Sequence, residues 1–169
     1  MKPLDAPDIH RLRAAEGWFE LGDDGEALQE LDSISLPEKN HPAALDLRFQ
    51  IFAKKGEWDV CRDVAGLITR QVPDSSAGWL HLAYATRRAT GGSVQAAFDI
   101  LHPVAEKFPE EPTIPYNLAC YVCQLGCLSA ARDWLKRAFV AGNVSQLKLM
   151  ALNDRDLKPL WKEIPQMEP

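Results

Sequence analysis

The sequence predicts an all-α fold, a stack of antiparallel helix pairs, on three observations. Glycines stand at Gly22, Gly56, Gly92 and Gly126, separated by 34, 36 and 34 residues. A small residue follows each by five positions, at Ala27, Cys61, Ala97 and Ala131, where a second helix has to approach the first closely. From Tyr116 to Phe139 two alanine-rich apolar patterns meet at Leu125-Gly126, where a glycine can take the positive φ that ends one helix and turns the chain back. One such pair cannot bury its apolar stripe alone, so the recurring pairs are expected to stack.

Start and stop signals place helices over 8–21, 25–34, 42–55, 58–71, 76–89, 93–107, 112–125 and 128–141. Ser33 to Pro37 ends the first pair, and Pro73 and Pro109 close the second and third. The third pair is longer by two residues, which fall in the turn Thr90-Gly91-Gly92 and leave both helices intact. Pro115 sits in the first turn of its helix, where a missing N–H costs nothing. After Gly142-Asn143, a short helix is expected from Val144 to Leu152, then a cap at Asn153-Asp154-Arg155-Asp156. Leu149, Leu152, Leu157, Leu160 and Trp161 are expected to form an apolar face laid on the last pair. The five tryptophans, Trp18, Trp58, Trp79, Trp134 and Trp161, are read as packing residues.

The period and slot pattern resemble the tetratricopeptide repeat family. Trp79, Leu82, Ala83, Ala97, Leu101 and Pro109 fill family slots in the third unit, with Thr86 replacing tyrosine. Leu118, Ala119, Val122, Ala131 and Leu135 do so in the fourth; Ala14, Ala15, Trp18, Ala27 and Leu31 in the first; Leu45, Phe49, Phe52, Cys61 and Ala65 in the second. The resemblance implies one domain, an α-α superhelix of about four pairs over 8–40, 41–74, 75–110 and 111–142. A C-terminal capping segment over 143–165 would follow, similar to the D-x-D-L-x-P-L closing run of short bacterial members. It further implies that the first helices line a groove that holds a peptide or partner segment.

Several functional classes are excluded by composition and motif. The net charge is −5 with no lysine or arginine run, which gives no footprint for nucleic acid. No stretch is apolar enough for a signal peptide or membrane span, which points to the cytoplasm. Cys120, Cys123 and Cys127 lie at helical spacing with no second C-x-x-C pair, so free thiols and no metal are expected. His10, His41, His81 and His102 fall in no metal or nucleophile motif, and no phosphate or dinucleotide loop occurs. Neither catalysis nor a cofactor is expected.

Overlaying the first helices by the family's repeat positions puts Arg13, Glu16 and Glu20, then Asp46, Gln50 and Lys54, on the implied groove. His81, Tyr84, Arg87 and Arg88 follow, then Tyr116, Asn117, Cys120 and Gln124. The third and fourth units thus gather two arginines, two tyrosines, an asparagine and a histidine, the residue types that anchor recognition surfaces. An acidic or carboxylate-bearing protein segment is the expected partner, with Arg13, Glu16, Asp46 and Gln50 as the alternative surface. Replacing Arg87 and Arg88 by alanine is expected to weaken binding and spare stability. Asn117 matches one slot of the family's carboxylate clamp, but Leu12 and Glu16 occupy its lysine and asparagine slots, which disfavours a chaperone-tail ligand. A secretion-type chaperone and a self-associating module are the other readings.

Overall fold

Each expected helix forms in the computed structural model, which describes residues 3–169. The helices are α1 (Ala6–Glu20), α2 (Asp24–Asp32), α3 (Pro42–Lys55), α4 (Trp58–Gln71), α5 (Ser76–Arg88), α6 (Val94–Leu101), α7 (Thr113–Gln124), α8 (Leu128–Ala141) and α9 (Val144–Asn153). Helix α6 stops short of its expected end. Pro103 lacks the N–H that an α-helical turn would use, and the chain tightens into a 3-10 helix, His102–Lys107. Two further 3-10 helices, Arg155–Leu160 and Ile164–Gln166, complete the C-terminal segment. Among the described residues there is no strand.

Side chains that accept the orphan N–H groups fix several starts. The Asp23 carboxylate accepts from the Glu26 N–H at 3.1 Å, Ser93 Oγ from Ala96 at 3.0 Å, and Asn143 Oδ1 from Gln146 at 3.0 Å. Left-handed glycines close the first helix of each pair, with φ +85° at Gly22, +74° at Gly56, +70° at Gly91 and +84° at Gly126. The third turn therefore hinges on Gly91 and not on Gly92, and the turns recur at 34, 35 and 35 residues. Gly92 serves a different need. A Cβ there would lie 1.8 Å from the Thr86 carbonyl oxygen, so only glycine fits beneath the helix end.

Adjacent helices pack in pairs within two compact units, Met1–Ala85 and Thr86–Pro169. In the N-terminal unit α3 is buried on two sides. Ala44, Leu47 and Ile51 join Leu12, Ala15, Ala27 and Leu31 of the first pair, while Leu45 and Phe49 join Cys61, Val64, Ala65 and Ile68 of α4 and Ala85 of α5. The first set steps by three and four residues and the second by four, the spacing of two stripes on one helix. In the first turn of α1, buried Asp8 accepts hydrogen bonds from the Ser35 hydroxyl at 2.6 Å and its N–H at 2.9 Å.

In the C-terminal unit α7 is the central element, buried from Ile114 to Cys123 except at Asn117. It packs on α6, α8 and the 3-10 helix at 155–160. The closing segment belongs to the core, through the expected Leu157 and Leu160 and through residues not expected there. Leu147 and Ala151 of α9 are buried, followed by Leu157, Leu160, Ile164 and Met167, whereas Leu149 is 66 % exposed. Residues 147 and 151 share one helix face, which turns Leu149 and Met150 outward. None of the five tryptophans is fully buried, and Trp18 is exposed. The indole N–H of Trp161 donates to the carbonyls of Ala151 and Asp154 at 3.0 and 3.1 Å, fastening the turn between α9 and its 3-10 helix. No helix among the described residues is long and apolar enough to cross a membrane.

Candidate functional site

The expected binding residues fall in both units. His81, Tyr84, Gln50 and Arg13 belong to the N-terminal unit; Arg87, Arg88, Tyr116, Asn117 and Gln124 belong to the C-terminal one.

In the C-terminal unit the acidic partner of this surface is the protein's own chain. The D-x-D turn lies on α7 and divides its four carboxylate oxygens among separate donors. Asp154 Oδ1 accepts from the Asp156 N–H at 2.9 Å, capping the 3-10 helix, and Oδ2 accepts from the Tyr116 hydroxyl at 3.1 Å and the Cys120 thiol at 3.5 Å. Asp156 Oδ2 lies 2.5 Å from Arg87 Nη1, and Oδ1 accepts from the Gln124 amide. The Arg87 guanidinium also lies over the Tyr121 ring, 5.8 Å from its centroid. Tyr116 is 5 % exposed, and burial, with Cys120 and the Asp154 carboxylate beside it, holds its hydroxyl well above the usual phenol range. Burial and Asp154 likewise push the Cys120 thiol up, which keeps it protonated and unreactive. Asn117 donates to the Thr113 carbonyl of its own helix at 2.8 Å. Arg88 is exposed. All four cysteines are free thiols.

In the N-terminal unit, α1 and α3 frame a cavity of about 420 Å³ lined by Glu16, Phe19, Glu20, Ala43, Asp46, Leu47 and Gln50. The helical step of three and four residues puts 16, 19 and 20 on one edge and 43, 46, 47 and 50 on the other. Gln50 donates to Asp46 Oδ2 at 2.8 Å. A second cavity of about 360 Å³, framed by the start of α3, the end of α4 and the start of α5, shares Ala43 and Asp46 with the first and is lined further by Ile68, Val72 and Ala77. His81 stacks on Phe49 with ring centroids 4.0 Å apart, and its Nδ1 lies 3.6 Å from Asp46 Oδ1 without a hydrogen bond. Burial lowers the imidazole pKa, with Asp46 pulling the other way, so the ring is neutral at pH 7. Tyr84 meets Trp58 edge-on at 5.6 Å. Lys54 is paired with Asp24 at 2.7 Å, and Arg13 is exposed.

The acidic cavity could be sensed in the sequence only as the alternative surface, because Glu16, Asp46 and Gln50 were visible there without Phe19 and Leu47 beneath them. No family model matches the chain, and no curated protein does.

Proposed function

We propose that this chain is a non-catalytic protein-interaction module of the tetratricopeptide type, acting in the cytoplasm and holding a partner segment on the first helices of its pairs. The repeat reading is supported by left-handed turn glycines at near-constant spacing and by Ala27, Cys61, Ala97 and Ala131, each 0 % exposed. The observation that carries the binding reading is the α1–α3 cavity, an open cleft built by the first helices of two successive pairs with a mixed polar and apolar lining.

The working surface is then the N-terminal unit, since Arg87, Tyr116 and Gln124 are already engaged by Asp154 and Asp156. A second reading keeps the acidic partner on the C-terminal unit. The fit of two carboxylates to those donors favours it, provided that the D-x-D turn yields its place.

Affinity capture from native extract, comparing wild type with Gln50→Trp, tests the proposal. One protein enriched by wild type and lost with the variant is the expected result. The same capture by both proteins, or capture of nothing, contradicts it.

A further inference from the structure

Resting on that reading, we infer that the partner segment is basic and extended: the α1–α3 cleft seats a lysine or arginine side chain, and the adjoining cavity a neighbouring apolar one. Three features converge on this occupant.

The first is unmatched charge around a cleft of mixed polar and apolar lining. Three carboxylates elsewhere in the N-terminal unit find cations, Asp24 with Lys54, Glu30 with Arg11 and Asp32 with Arg48, at 2.7, 2.8 and 2.8 Å. Glu16, Glu20 and Asp46 line one cavity together, and among the described residues no lysine or arginine pairs with them. The nearest basic group to Asp46 is His81, which burial keeps neutral. Three carboxylates about one cleft repel one another and any acidic ligand, and a bound cation relieves that repulsion.

The second is the lining. Phe19 and Leu47 give the methylene stem of a lysine or arginine an apolar bed while the carboxylates meet its head. The Phe19 ring already receives one ammonium, Lys54 Nζ, at 5.4 Å from its centroid. The carboxylates do not converge as metal ligands do: among the described residues no group of three His, Cys, Asp or Glu could hold a metal ion.

The third is continuity. The two cavities share Ala43 and Asp46, so a ligand leaving the charged one enters the other beside Ile68 and Val72. An extended segment places alternate side chains on one side, which suits a basic residue and an apolar residue two positions apart.

Fluorescence polarisation with the full chain and labelled peptides tests the inference. The probes repeat Lys-Ser-Leu-Ser, with counterparts carrying Glu for Lys, or Ser for Leu. The lysine peptide should bind at least about tenfold more tightly than the glutamate peptide, more weakly as salt rises, and with some loss when Leu becomes Ser. The double variant Glu16→Gln/Asp46→Asn should lose about tenfold for the lysine peptide with its melting temperature unchanged. Equal binding of lysine and glutamate peptides, full affinity in the double variant, or no binding of the lysine peptide up to about 1 mM overturns the inference. Preference for the glutamate peptide also overturns it and favours the Arg87 surface. If no peptide binds but capture still depends on Gln50, only the basic character is wrong; if both fail, the binding reading fails with it.

Discussion

Arg87 and Asp156 form an ion pair across 69 residues of sequence, Nη1 to Oδ2 at 2.5 Å, with both side chains about four-fifths buried. A guanidinium expected to wait for a ligand instead fastens the closing segment of its own unit. Arg87→Ala leaves a partly buried carboxylate with the Gln124 amide alone, so it should destabilise the protein by about 1–3 kcal/mol. This replaces the expectation of an unchanged melting temperature. A denaturant midpoint equal to wild type would show that the pair is only a surface contact.

The closing segment should be indispensable to the C-terminal unit. Ending the chain after Gly142 removes buried Leu147, Leu157, Leu160, Ile164 and Met167, each contributing about 1.5–3 kcal/mol by burial. That total rivals the whole stability of a typical domain, about 5–15 kcal/mol. The truncated chain should therefore lose cooperative unfolding of this unit and expose α7 to protease. A full second melting transition in the shortened chain would contradict this.

Neighbouring glycines should respond differently to alanine. Gly91 is left-handed with open space around it, so Gly91→Ala should cost about 1 kcal/mol, and Gly126→Ala much the same. Gly92→Ala drives a methyl group into the Thr86 carbonyl and should cost several times more. Melting of the three variants ranks them, and a Gly92→Ala protein as stable as the other two would refute the tight approach.

Asp8 and His81 are among the groups that make stability fall in acid. The Ser35 hydroxyl and N–H hold the Asp8 carboxyl below its usual range. The unfolded chain therefore takes up that proton first, and the contribution, complete above about pH 4, is lost as pH falls through the lowered folded value. His81 behaves alike at higher pH, because burial depresses its folded pKa: its contribution is complete above about pH 6.5 and declines as pH falls toward the folded value. Carboxyl and imidazole titration by NMR checks both. In Ser35→Ala the Asp8 titration should move up; an unmoved Asp8 would mean that Ser35 is not its determinant.

Helix pairs were legible because apolar period, turn glycines and caps are local signals, and the α3, α4 and α8 limits agree with the structure to the residue. Three things were not. In Gly91-Gly92 either glycine could supply the positive φ, and which one does depends on how the chain passes under the Thr86 carbonyl. Leu149 is apolar but lies on the outer side, because the buried face of α9 is set by its phase, which Leu147 and Ala151 carry. The fate of Arg87 turned on a carboxylate 69 residues away, and periodicity fixes which residues share a helix face without saying what folds back onto it.

Photo-crosslinking in the native cell tests the central claim most directly, with benzoylphenylalanine placed at exposed Gln50 in one chain and at exposed Arg88 in another. A discrete adduct of higher mass from position 50, absent from position 88, is the predicted result. An adduct from position 88 alone would put recognition on the C-terminal unit and contradict the account.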